Sequence, residues 1–141
     1  MGVTHLVLRS CCLLALVFAT PAGAQSIDYR RLEREVIRAR LELVEPDNAA
    51  RLDILRDLFE QSGCKGTSLV EMPVPESKLP NLACTLPGDS GSTIIMGAHY
   101  DRGPNGHGVA DNWTGAALLP SLFQSASRLE HRHNFVFIAF V

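Results

Sequence analysis

The spacing of apolar residues changes along the chain at Gly66. Before it, in "DYRRLEREVIRARLELV" (residues 28–44), Leu32, Val36 or Ile37, Leu41 and Val44 recur at helical intervals among Arg and Glu. That pattern predicts an amphipathic helix. Glu45-Pro46 breaks it, because the residue before a proline is pushed out of the helical region. A second helix is predicted in "PDNAARLDILRDLFEQSG" (residues 46–63). Pro46 and Asp47 open it, Leu52, Leu55, Leu58 and Phe59 form its buried stripe, and Gly63 closes it. The charges between these stripes read as a solvated face with no function of their own.

After Gly66 the runs shorten. "TSLVEMPV" (67–74) and "NLACTL" (81–86) predict strands, and "PGDSG" (87–91) a turn. "STIIMGAH" (92–99) has apolar residues running together rather than alternating, which predicts a strand buried on both faces. "NWTGAALLPSLFQSASRLE" (112–130) is helical in composition, with Pro120 expected to kink it or remove a backbone bond. "HNFVFIAFV" (133–141) is a second continuous apolar strand. Two buried strands joined through a helix imply a crossover and a parallel or mixed sheet. The expected fold class is therefore α/β, a mixed, largely parallel sheet flanked by helices. Ligands of such sheets bind beyond the carboxyl ends of the strands, where His99, Asp101 and Asp111 lie.

Composition narrows the function. At 141 residues and 46% hydrophobic, the chain suits a packed domain or part of one. A formal net charge of −2 supplies no basic field, so nucleic acid is not an expected partner. The first residues behave differently from the rest. Arg9, the apolar run "CCLLALVFA" and Ala22-Gly23-Ala24 match a signal peptide over residues 1–24, cleaved before Gln25. An uncleaved amino-terminal anchor is the alternative. The expected location is secreted or periplasmic, with no stable membrane association once the signal is removed. Cys11 and Cys12 leave with it, so Cys64 and Cys84 remain as a disulfide candidate or as two buried thiols.

The candidate chemistry lies in "TIIMGAHYDRGPNGHGVADNWTG" (93–115). His99 and Asp101, two apart in extended chain, start on the same side. An imidazole there can ligate a metal while the carboxylate accepts its other N–H and fixes the tautomer. Asp111 adds a carboxylate beyond the loop, and mixed nitrogen and oxygen donors suit zinc. Each part alone is common: Gly-Pro-Asn-Gly is first a turn, and Asn112 with Asp111 could simply cap the next helix.

The whole string "IIMGAHYDRGPNGHGVADNWTGAALL" resembles the co-catalytic zinc exopeptidases of metallopeptidase family twenty-eight. That family includes bacterial leucyl aminopeptidases, glutamate carboxypeptidases and glutaminyl cyclases. The resemblance rests on Gly97-x-His99-x-Asp101 and Gly108-Val109-Ala110-Asp111-Asn112, and covers roughly residues 66 to 141. It implies a three-layer sandwich of the zinc-peptidase type, incomplete in this chain, with residues 25–141 the amino-terminal part of the peptidase domain. It implies His99 as a zinc ligand, Asp101 as the catalytic carboxylate orienting it, and Asp111 as a bridge between two zinc ions. A cis peptide between Asp111 and Asn112 is implied as well. The implied activity is peptide-bond hydrolysis, most simply by an aminopeptidase, through a water activated by two zinc ions. The family's Gly-Glu-Glu, which carries the general base and a further ligand, would follow "FVFIAFV". The expectation is therefore a fragment of a longer protein, inactive alone.

Other residues add less. His107 is expected as a loop side chain near the site, and His131 with His133 as part of a solvated turn. "NWT" at Asn112 matches a glycosylation sequon in a corner expected to be buried. Trp113 either shapes a specificity pocket or packs beneath the loop. Two further functions compete with the peptidase: a glutaminyl cyclase-like acyltransferase using one zinc, and a non-catalytic binding domain of the same fold. Oligomeric state is not legible.

Overall fold

The computed structural model describes residues 32–141, so the expected signal segment lies outside the described residues. Helix α1 (Arg34–Glu42) is followed by α2 (Asn48–Gln61). Strands β1 (Leu69–Met72), β2 (Asn81–Leu86) and β3 (Thr93–His99) come next, then helix α3 (Thr114–Ala126) and strand β4 (Asn134–Phe140). Among the described residues no helix is long and apolar enough to cross a membrane.

Helix α2 begins where the sequence places it. The Asp47 side chain accepts the Ala50 N–H at 2.9 Å, satisfying an amide that has no partner within the helix. Its stripe of Leu52, Leu55, Leu58 and Phe59 is buried. Gly63 then takes a φ of 99°, which ends the helix. Helix α1 is shallower: it has no buried residue, and only Leu41 and the following Val44 rest against the core.

The sheet has the order β1-β2-β4-β3. β1 pairs antiparallel with β2 and β2 antiparallel with β4, while β3 and β4 run parallel across the α3 crossover. It is the mixed, helix-flanked α/β sheet the sequence implies, but it is largely antiparallel rather than largely parallel, because only β3 and β4 are joined by a helical crossover and run parallel. Rows of paired residues fill one face: Cys84, Phe137 and Met96 in one, Leu82, Ala139 and Ala98 in the next. These rows pack with α2 and α3 around Leu55, Phe59, Trp113, Leu119 and Phe123. Helix α3 continues through Pro120. Arg40 of α1 donates to the Ala117 carbonyl at 3.2 Å and to the Ser121 hydroxyl, tying α1 to it.

Cys64 and Cys84 form a disulfide, joining the end of α2 to the middle of β2 with a Cα–Cα distance of 6.3 Å. Of the two possibilities left by the sequence, the bonded one is realised.

The burial of β3 differs from expectation. Ile94 is 41% and Ile95 63% exposed, although the unbroken apolar run predicts cover on both faces. Among the described residues β3 is an edge of the sheet. Ile95 lies on the face opposite α3, while Ile94 shares the α3 face with Met96 and Ala98 but stands at the start of the strand, where cover is incomplete. On the other face Gly97 lies beneath Phe140, so that a Cβ at this position would meet the ring at 2.4 Å.

Candidate active site

The site forms at the carboxyl end of β3. Strand alternation sends Ala98 and Tyr100 into the core and leaves His99 and Asp101 together on the opposite side. Tyr100 fixes this end of the chain. Its side chain is fully buried, its hydroxyl donates to the Pro80 carbonyl at 2.7 Å, and its N–H donates to Phe140 at 2.8 Å. Burial pushes the phenol up to about 12, helped by the negative charges of Asp101 and Glu71.

His99 is held between two carboxylates. Its Nδ1 lies 3.1 Å from Asp101 Oδ1 and 3.2 Å from the Asp101 carbonyl, and its Nε2 lies 3.0 Å from Asp111 Oδ1. Burial disfavours the imidazolium, but the hydrogen bonds to Asp111 and Asp101 outweigh it, so the His99 pKa is raised above the ordinary histidine value. The structure thus brings together all three residues singled out in the sequence. The side chain of Asp111 is 93% exposed, which leaves the site open to solvent.

Asp111 reaches His99 because the chain between them folds tightly. Gly108 has a φ of 60°, and the Trp113 N–H donates back to the Gly108 carbonyl at 3.1 Å in one wide turn. Within that turn Asp111 and Asn112 leave the helical region, and the peptide between them is cis, as the resemblance implies. The Asn112 side chain accepts the Gly115 N–H at 3.2 Å, so it also caps the start of α3. Trp113 is fully buried beneath the loop, with its indole N–H donating to the Arg40 carbonyl at 3.0 Å. Of the two roles open to Trp113, packing is the one realised.

The reading of the helix charges as a solvated face fails at Arg51, which is fully buried. Its guanidinium donates to the carbonyls of Glu45, Tyr100 (3.1 Å), His107 (2.6 Å) and Gly108 (3.4 Å). The signal was present: Arg51 precedes Leu55 by four residues and so belongs to the buried stripe of α2. A second arginine binds the loop from outside. Arg102 donates to Pro46 at 2.6 Å and Gly106 at 3.0 Å, and its N–H reaches the Asn48 side chain at 3.0 Å. His107 is exposed and joins the site only through its carbonyl. His131 and His133 sit in the turn before β4, away from these residues, bonded to Leu129, Pro87, Ser90 and Ser92.

Among the described residues no group of three or more His, Cys, Asp or Glu forms a cage for a metal ion. His99 and Asp111 offer donors of the kind zinc accepts, and Asp101 occupies the orienting position behind the imidazole. They fit zinc in kind, while a structural or catalytic zinc takes at least three protein donors.

No family model and no curated protein matches this sequence. Solved structures do match in fold. A glutaminyl cyclase from Fimbriiglobus ruber is similar with a TM-score of 0.66 at 19% identity, over 86% of this chain and 49% of that one. The LapA aminopeptidase of Legionella pneumophila gives 0.53 at 19% identity, over 82% and 40%. A leucine aminopeptidase precursor from Bacteroides thetaiotaomicron gives 0.55 at 14% identity, over 81% and 48%. The chain thus spans about half the length of these structures or less, and it carries the α/β fold that bacterial glutaminyl cyclases and aminopeptidases share.

Proposed function

We propose that this chain supplies part of the active site of an exported zinc-dependent exopeptidase, acting as an aminopeptidase on peptides. His99 and Asp111 are its metal ligands, and Asp101 is the carboxylate behind His99. One observation carries the reading: His99 Nδ1 is engaged by Asp101 while Nε2 is aimed at Asp111 Oδ1 across 3.0 Å. Accepting the Nδ1 proton fixes the tautomer that leaves Nε2 free as a donor to metal. A zinc ion bound there supplies Lewis acidity and an acidified water for hydrolysis. Asp111, exposed and at the mouth of the loop, is placed to ligate from the solvent side. The general base and the remaining donors are assigned to polypeptide beyond these residues, in keeping with the two donors present and the roughly half-length overlap with the similar structures. The Cys64–Cys84 disulfide supports an oxidising, secreted or periplasmic location.

The match at a TM-score of 0.66 is to a glutaminyl cyclase, and it sustains a second reading, a glutaminyl cyclase-like acyltransferase with one zinc. The test uses the gene product expressed to its natural stop codon. Zinc content is measured first, followed by release of nitroaniline from aminoacyl-nitroanilides and by cyclisation of glutaminyl peptides. Turnover of the first substrate with loss in His99→Ala supports the peptidase, and turnover of the second alone supports the cyclase. A zinc content that His99→Ala and Asp111→Ala leave unchanged defeats both.

A further inference from the structure

A buried guanidinium is an unusual choice for the first turn of α2. Among the described residues no carboxylate forms a salt bridge with Arg51; every hydrogen bond of its guanidinium goes to a backbone carbonyl, with the charge of Asp101 acting only from a distance. Burying a charge this way is costly, and a leucine or methionine on the same stripe would fill the space without that penalty. What the arginine adds is a planar fan of donors.

The acceptors of that fan show what it holds. Tyr100 stands directly before Asp101, and His107 and Gly108 stand directly before the turn that carries Asp111. One guanidinium therefore bridges the two ends of the intervening loop. Its Nε donates to Glu45, which fixes the group to the α1–α2 connection. The Trp113 ring lies 5.7 Å from the guanidinium carbon and closes the remaining side. Gly108 accommodates the approach, since a Cβ there would lie 3.0 Å from Arg51 Nη1 and 2.7 Å from the Arg102 Cβ.

We propose that Arg51 is a positioning residue: its guanidinium sets the separation between the strand end bearing His99 and Asp101 and the turn bearing Asp111. The clamp follows from the hydrogen bonds alone. Its consequence for metal affinity rests on the reading of these residues as zinc ligands.

The test compares the full chain with Arg51→Met, which keeps bulk without donors, and Arg51→Lys, which keeps the charge without the fan. Amide hydrogen exchange is followed at the bonded amides of the loop and its turn, Arg102, Trp113 and Gly115, with the amides of β2 and β4 as reference for global stability. Both variants are expected to lose protection in the loop beyond the change seen in the reference amides, and lysine is expected to restore melting temperature more than loop protection. Loop exchange equal to wild type, or a loss uniform over the whole chain, overturns the clamp. Should Arg51→Met fail to fold, Arg51→Lys carries the same comparison. Zinc affinity is then measured by chelator competition, where Arg51→Met should weaken binding by about 10-fold, as outer groups that orient ligands do. Measured on the gene product expressed to its natural stop codon, a wild type without zinc affinity would defeat the functional reading and leave the exchange result to decide the clamp. A zinc affinity unchanged beside a loosened loop overturns the positioning of the ligands.

Discussion

Arg51 and Trp113 face each other beneath the site loop, the guanidinium carbon 5.7 Å from the indole centroid, and both side chains are fully buried. Trp113 thereby supports the loop from below while its N–H anchors the backbone of α1 at Arg40. Trp113→Ala should cost about 3–5 kcal/mol by removing a large buried ring, a large share of the stability of a domain this size. Urea unfolding checks this, and a loss under 1 kcal/mol would mean that the ring is not packed as described.

Asp101 is expected to act through His99. Asp101→Asn keeps the size of the side chain but presents an amide to Nδ1, so the imidazole loses its ionised partner. In the gene product expressed to its natural stop codon, zinc affinity should fall by about 10–100-fold while the melting temperature moves little. Affinity that stays at the wild-type level would remove Asp101 from the proposed site.

The disulfide closes a loop with a sequence separation of 20, from the end of α2 to β2. On the chain-entropy account it contributes about 3 kcal/mol. The Cys64→Ser, Cys84→Ser double variant, or the reduced protein, should lose about that much in urea unfolding. Coincident curves with and without reductant would contradict it.

Most of the helical architecture was legible because period alone decides it: Leu52, Leu55, Leu58 and Phe59 can be buried together only on a helix. His99 and Asp101 were legible as neighbours because strand parity places them on one side. Arg51 was missed because residue type was weighed above position. The exposure of Ile94 and Ile95 was missed for another reason, since an apolar run records what a strand needs covered and not what covers it. Periodicity likewise says nothing of the path of the glycine loop, which brings Asp111 to 3.0 Å from His99.

His131 supplies a pH dependence. Its two ring nitrogens face the carbonyls of Leu129 and Pro87, each at 2.9 Å, and only the imidazolium can donate to both. These bonds raise its pKa above the ordinary value of 6.5. A raised folded-state pKa gives stability that is complete below the unfolded value and fades as pH climbs through the folded one. Urea midpoints should therefore decline with pH above about 6.5 more steeply in wild type than in His131→Leu. Parallel slopes would exclude the imidazolium.

The edge of β3 should make the chain self-associate. Among the described residues no strand pairs with the outer side of β3, and with Ile95 63% exposed the strand Thr93–His99 lacks the charged side chains of Lys, Asp or Glu and the prolines that normally protect such edges. Sedimentation should show mass rising with concentration for wild type, and Ile95→Lys should hold the chain monomeric. A monomeric wild type at all concentrations would show that the edge is protected.

Tyr100 has a consequence for error as well as for geometry. A slip of one residue in the pairing of β3 with β4 would turn its ring out to water and drive the imidazole of His99 and the carboxylate of Asp101 into the core. A copy folded out of register would thus forfeit its stability along with its chemistry. The same alternation that arms this strand end removes defective copies from the folded population, so a molecule that survives folding carries its polar pair on the correct side.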